Sequence, residues 1–538
     1  MKYTILTAND EEKTPSSFLP SGVIAKIVIY LSVVMVFVSC NTLNRLEGFV
    51  YYRLSANPAT LDPALIVDLA GGSIAAKIFN GLVRLNEDME VAPDISEGWT
   101  ISPDGLAYRF RLKKGIKYSN NQDVKANDIK YSFVRILDPK TRSPNIWALD
   151  KIAGAKAFMA GRARDVSGIK VIDDHTIEIR LEKPFSPFLY LLTMPAAYIV
   201  PEGEVRRLGP DFSFHPVGTG PFVLKEWLPD RTLRLEKRDD YFDNKAIVRG
   251  IVYRIIPEDL TAVTEFELGN IDVISIPASH FRKFMDDPKW NRHIYPVKGI
   301  NTYYLGMNCS RPPFDRTDIR KAVSLAIDRD KLLTTFYENR GRIASGPVPD
   351  ILRKWEISSG YGYDPEKAKD IIERGGFENR AINFHVTADQ EVVDMAEFIQ
   401  AYLNKAGLRV RIKQLEWSAY KEAINRGEPD LFWLSWWADY PDPENFLFPL
   451  FHSSNFGPAG NRVRYKNSEV DRMIELGQHA NNKTKRAAYY GKAEKLIIRD
   501  APWVFFWHKT DYLVTQHYVT NFKTYPVYTM DKGTEIKF

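Results

Sequence analysis

From Glu391 to Trp437 the chain passes twice through helix, turn and strand, and this stretch limits the fold more than any other. An amphipathic helix starting near Glu391 meets a turn at Gly407 and continues as the alternating strand Leu408–Ile412. A second helix around Tyr420–Ile424 turns at Gly427 and Pro429 into Leu431–Trp437. Two such units in succession predict an α/β lobe. Glu265–Leu268, turning at Gly269-Asn270 into Ile271–Ile274, has the same form. Arg109–Leu112 and Thr176–Leu181 alternate polar and apolar residues, as half-buried strands do. Over Asp318–Leu333 the apolar residues Ile319, Ala322, Val323, Ala326 and Ile327 fall at helical spacing, with Asp318 placed to cap the start. The chain has 538 residues, too many for one hydrophobic core, so two or three structural units are expected. The predicted fold class is mixed α/β with more than one lobe.

Composition excludes several functions. Basic and acidic residues number 73 and 68, and this small excess, without a basic run, gives no reason to expect nucleic acid as a partner. Two distant cysteines, Cys40 and Cys309, build neither a disulfide framework nor a metal motif, and the 9 histidines form no H-x-x-x-H or H-x-H pair. Neither a metal nor a cofactor is expected. Aromatics reach 13%, including 27 Tyr and 11 Trp, and such side chains suit pockets for polar organic ligands. A hydrolase using acidic residues such as Asp62, Asp439, Asp442 and Glu444 stays open as the rival class. Against it stand the lack of a G-x-S-x-G elbow, of an H-E-x-x-H pair and of a cysteine near a histidine. The chain is therefore expected not to be an enzyme.

After Lys26 an apolar run extends from Ile27 to Val38 and ends in Phe37-Val38-Ser39-Cys40. It is shorter than the roughly 20 residues that span a bilayer, and it suits the apolar region of a signal peptide. A small residue directly before a cysteine resembles the lipobox of bacterial lipoproteins. The resemblance implies that residues 1–40 are a lipoprotein signal peptide with Cys40 lipidated, an uncleaved anchor helix being the alternative.

Four further stretches carry a resemblance along nearly the whole remaining chain. They are Leu54–Leu65 with its Asn57-Pro58-Ala59-Thr60-Leu61-Asp62-Pro63; Asp104–Gly115 continuing to Ser132; Pro216–Phe222; and Arg320–Arg329. Their order and spacing resemble the solute-binding proteins of ATP-binding-cassette (ABC) importers, in the family that includes dipeptide- and oligopeptide-binding proteins. Gly218-Thr219-Gly220 within the third is read as a tight loop needing glycine's backbone freedom, since Pro221 follows and no phosphate-loop pattern exists. The resemblance implies a two-lobed periplasmic-binding-protein-like fold (class II type, cluster C) with an extra inserted α/β domain. The expected boundaries are 48–84, 199–297 and 509–538 for a discontinuous first lobe, 85–198 for the inserted domain and 298–508 for the second lobe.

By the same resemblance the stretch Trp433–Phe446 lines the cleft, and Asp439 binds the α-ammonium group of a peptide. Independent chemistry agrees, since an ammonium group shut away from water needs a carboxylate partner. The competing reading has Asp439 cap the turn made with Pro441 and Pro443. Trp436, three residues before it, is placed to pack on a ligand side chain, with Trp433 and Tyr440 beside it. Asn57 marks the opening segment whose backbone is expected to pair with an extended peptide, and Tyr465 is a further candidate for the pocket wall. Arg340, Arg342, Arg462 and Arg464 are the candidates for the ligand's carboxylate. Expected partners are a peptide ligand, the permease subunits of an ABC transporter and a membrane reached through the lipid anchor, the protein itself being a monomer. The expected location is periplasmic or at the cell surface. An oligosaccharide, a nickel complex or haem on the same scaffold remains the alternative, three close tryptophans being suited to stacking sugar rings.

Overall fold

A computed structural model describes residues 45–358, 360–378 and 380–538. The expected signal segment and Cys40 lie outside the described residues. Gly48–Phe538 forms one unit, described below.

The helix–turn–strand reading of the second lobe is realised. Helix Gln390–Lys405 leads to strand Arg409–Leu415, and helix Trp417–Arg426 leads to strand Leu431–Trp437. Each crossover returns the chain parallel to a neighbour: Ala381–Thr387 pairs in parallel with Arg409–Leu415 on one side and with Leu431–Trp437 on the other. Strand Asn301–Met307 then pairs antiparallel with Leu431–Trp437, residue for residue from Asn301 opposite Trp437 to Met307 opposite Leu431.

Strand Trp503–Thr515 is unusually long, at 13 residues, and it serves two sets of partner strands. Its first half pairs with Asn301–Met307 and Gly341–Ile343, while its second half pairs with Ile294–Lys298 and Val273–Ser275. The second set continues into Phe49–Leu54, Gly250–Ile255, Thr232–Lys237 and Phe222–Leu228, so that a 12-stranded sheet results. Two chain passages therefore join these two sets of strands: residues 298–301 and the middle of the long strand.

Asn301, fully buried, clamps these passages together. Its Oδ1 accepts from the Lys509 N–H at 2.7 Å, and its Nδ2 donates to the Lys509 carbonyl at 3.3 Å. The His508 ring lies 2.8 Å from the Asn301 carbonyl, and burial pushes its pKa down to about 4, so the neutral imidazole donates this bond from Nδ1. Gly299 makes the approach feasible, because a Cβ there would lie 2.0 Å from the Asn301 Nδ2.

A separate four-stranded antiparallel sheet, in the order Ser96–Ile101, Ala107–Leu112, Thr176–Arg180, Ile169–Asp173, packs on helix Ala126–Leu137. The alternation seen in sequence is the reason: Tyr108, Phe110 and Leu112 face its core with Ile177 and Ile179, while Arg109 and Arg111 point to water.

Two local expectations are corrected. The helix expected over Asp318–Leu333 is two helices, Thr317–Ala326 and Arg329–Tyr337. Asp318 lies inside the first and pairs with Arg316, whereas Asp328 breaks the run and caps the second by accepting from the Lys331 N–H at 3.0 Å. In the Gly218-Thr219-Gly220 loop neither glycine takes a positive φ. What the loop requires is room: a Cβ on Gly218 would lie 2.1 Å from the Ile78 carbonyl and one on Gly220 2.4 Å from that of Lys77.

Candidate functional site

The site grows from the end of strand Leu431–Trp437. Side chains alternate across it, so Phe432, Leu434 and Trp436 face one core of the second lobe while Trp433 faces the other. Trp433 is buried, with its ring centroid 4.8 Å from Phe506 and 5.7 Å from Trp507. The expectation that it lines the ligand cleft is therefore corrected: it holds the strand from behind. Trp437 is exposed at the strand end, and Trp436 is half-buried on the opposite face.

Beyond the strand the chain turns sharply through Pro441 and Pro443 into helix Glu444–Phe451. Asp442, not Asp439, caps this turn, its Oδ1 accepting from the Glu444 N–H at 2.8 Å. The same oxygen pairs with Arg486 at 2.6 Å, and only 1% of the Asp442 side chain is exposed. Asp439 is thereby released from the turn-capping role.

Asn445, in the first turn of the helix and 5% exposed, is the hub of the site. Its Oδ1 accepts from the Asp439 N–H at 3.0 Å and from the Trp436 indole at 3.3 Å, and its Nδ2 donates to Asp439 Oδ2 at 3.3 Å. One amide thus fixes both expected ligand-contacting side chains. The Asp439 carboxylate reaches solvent, yet the protein crowded around it raises its pKa, with the Asn445 hydrogen bond acting in the opposite sense. Among the described residues it forms no ion pair.

Asp439 and Trp436 open into a cavity of about 500 Å³ whose other wall is the inserted domain, with Trp147, Lys151 and Phe185. Tyr440 spans the two walls. It is 5% exposed, joins the core of the inserted domain with its ring 6.4 Å from Trp147, and its hydroxyl donates to Glu444. Glu444, also buried, accepts from Gln478 Nε2 at 2.7 Å, and burial raises its pKa. The Tyr528 hydroxyl, which lines a different cavity, is pushed up to about 12 by burial first and then by the carboxylates of Asp439 and Asp68.

Two other candidates lie elsewhere. The Asn57 side chain is tied to Asp230, its Oδ1 accepting from the Asp230 N–H at 3.0 Å and its Nδ2 donating to the carboxylate. Strand Phe49–Leu54 before it is interior to the sheet, with neighbours on both sides, and Ser55 and Ala56 beyond it are exposed. Tyr465 is 3% exposed, and its hydroxyl donates to Asp500 at 2.7 Å. Its expected place in the pocket wall is corrected to core packing, because Asn461 brackets its backbone and points the ring inward. Asn445 and the inserted-domain wall were missed from sequence. Asn445 lay within the aromatic stretch, and the paired prolines signalled a turn that folds it back on Asp439.

No group of three or more metal-ligating side chains occurs among the described residues, and none of their helices is long and apolar enough to cross a membrane.

Comparison with known proteins bears on the fold and the family. Heme-binding protein A of Haemophilus influenzae is 30% identical over 479 residues, covering 85% of this chain and 86% of the relative. The unliganded open form of the periplasmic murein tripeptide binding protein MppA superposes with a TM-score of 0.80 at 25% identity, covering 91% of this chain and 97% of that one. The periplasmic binding protein DppA from Helicobacter pylori, in complex with the peptide STSA, gives 0.72 at 26% identity, with the same coverage of 91% and 97%. The family model of bacterial extracellular solute-binding proteins, family 5, matches residues 90–458, and the chain belongs to that family.

Proposed function

We propose that this protein is the substrate-binding lipoprotein of an ABC importer and captures di- or oligopeptides between its lobes for uptake. The observation that carries the reading is Asp439, a carboxylate at a cavity mouth, held by Asn445, with a raised pKa and no ion pair among the described residues. A carboxylate in that position favours a cationic ligand group, and a peptide's α-ammonium is such a group. Trp436 beside it offers an apolar face to a side chain. The names of the murein tripeptide and STSA-bound relatives support a peptide, and that of the Haemophilus relative keeps haem as the second reading. Haem brings two carboxylates and no ammonium group, which Asp439 disfavours.

The lobe boundaries retained here are 48–84, 199–297 and 509–538, then 85–198, then 298–508, supported by the sheet passing between lobes at residues 298–301 and near Lys509. The superposition on an open, unliganded relative fits a cleft that closes when ligand contacts both sides. In this reading Cys40 carries the lipid anchor that holds the protein at the outer face of the membrane beside its permease, and Cys40→Ala is expected to release it into the soluble fraction.

Mass spectrometry of the ligands that co-purify with the protein tests the substrate. Short heterogeneous peptides with free amines are expected. A homogeneous haem, sugar or nickel chelate would overturn the peptide assignment.

A further inference from the structure

A peptide has a second charged end, and the second lobe's candidate arginines are all engaged elsewhere. Arg340 is buried, its Nε donating to the Tyr337 carbonyl at 3.1 Å and its guanidinium lying on the rings of Phe281 and Tyr337. Arg342 pairs with Asp350. Arg462 and Arg464 both hold Asn425, one through its side-chain oxygen at 2.9 Å and the other through its carbonyl at 3.2 Å. None of the four lines the cavity that Asp439 faces.

The opposite wall has the missing charge. The inserted domain contributes Lys151, Lys156 and Lys183 to the same cavity, against one acidic residue, Glu182. Glu182 is engaged by Lys156 at 3.4 Å. Lys183 is exposed and makes no ion pair among the described residues. The Lys151 ammonium sits 5.0 Å from the centroid of the Phe185 ring, donates to the Trp147 carbonyl at 3.2 Å and pairs with Asp150 at 3.0 Å. Lys151 nonetheless lines the cavity, together with Glu444 of the facing wall. The cavity thus has a carboxylate on one wall and lysines on the other. That polarity matches a zwitterion lying across it, and its volume of about 500 Å³ is within the range of small-ligand pockets.

We propose that Lys151 and Lys183 of the inserted domain hold the C-terminal carboxylate of a short peptide whose ammonium group is on Asp439. The assignment rests on the peptide reading above and makes the inserted domain part of the binding site. It also gives the ligand a charged contact on each wall, so that binding draws the walls together. Lysine suits this place because a flexible point charge accepts carboxylates at slightly different depths, where the planar arginine fork demands one geometry.

The test uses a mixed-sequence tripeptide library with free carboxyl termini and the same library amidated, each bound to the purified protein and read by native mass spectrometry. For the unaltered protein, amidation is expected to weaken binding at least tenfold. In Lys151→Ala/Lys183→Ala the two libraries are expected to bind alike, whereas Lys151→Arg/Lys183→Arg restores a preference for the free acid. An amidation penalty unchanged by the alanine pair, or no penalty in the unaltered protein, would refute the lysine assignment while leaving the peptide reading intact. Failure of both libraries to bind the unaltered protein would refute this assignment for a short peptide, while the peptide reading itself stands or falls with the co-purified ligands.

Discussion

Asn445→Leu removes one amide without changing the side-chain volume much, and the structure allows its effect to be sized. Three interactions disappear: the bonds from the Asp439 N–H at 3.0 Å and the Trp436 indole at 3.3 Å, and the one to the Asp439 carboxylate at 3.3 Å. At about 1 kcal/mol net for each neutral bond, and no more for the long charged one, the sum approaches 3 kcal/mol. Asp439 reaches solvent and Trp436 is only half-buried, so water replaces part of this. The loss reaching the ligand is then about 1.5–2 kcal/mol, or roughly 10- to 30-fold in Kd. Calorimetric titration with a co-purified peptide measures it, with thermal unfolding as the control for the fold. Trp436 fluorescence is expected to change at the same time, since its indole loses its partner. A Kd within twofold of the unaltered protein, in a variant that keeps its melting temperature, would refute the idea that Asn445 positions the carboxylate.

Gly299→Ala places a methyl group 2.0 Å from the Asn301 amide and 2.8 Å from the Lys509 carbonyl, and is expected to cost about 1–3 kcal/mol of stability by denaturant unfolding. Arg486→Met leaves Asp442 buried without its cation and should destabilise by about 3–5 kcal/mol, with Asp442→Asn/Arg486→Met recovering much of the loss. His508 titrates near 4 in the folded protein against about 6.5 unfolded, so the unfolded chain binds the proton first as the solution is acidified. Its contribution is complete above pH 6.5 or so and declines by about 3 kcal/mol on going down to pH 4. Subtracting the stability profile of His508→Gln isolates that slope, and parallel profiles would contradict it.

The two α/β units were legible because each carries its own periodicity and turn, and neither depends on a distant partner. The break between Thr317–Ala326 and Arg329–Tyr337 was not, because the apolar spacing continues through Ile327 while the cap at Asp328 acts locally. Asp439 and Trp436 were singled out from the family resemblance and from charge, and they line one cavity. Trp433 could not be told from Trp436 by residue type: they lie on opposite faces of the strand, and only packing against Phe506 and Trp507 buries Trp433. Tyr465 failed for a related reason: a tyrosine suits a pocket and a core equally well until its hydroxyl's partner, Asp500, is known. Whether Asp439 capped the proline turn could not be decided on paper; Asp442 takes that cap and pairs with Arg486. The lysine wall belongs to another part of the chain, so no local pattern pointed to its facing Asp439.

The pairing of Asp439 with a ligand ammonium is tested most directly by a cycle of two changes, Asp439→Asn in the protein and N-acetylation in a co-purified peptide, with the four Kd values taken by calorimetry. The account predicts that either change alone weakens binding at least tenfold and that both together are no worse than one. If acetylation weakened binding equally in the unaltered protein and in the variant, the carboxylate would not be meeting the ammonium group, and the peptide-recognition account would be wrong at its centre.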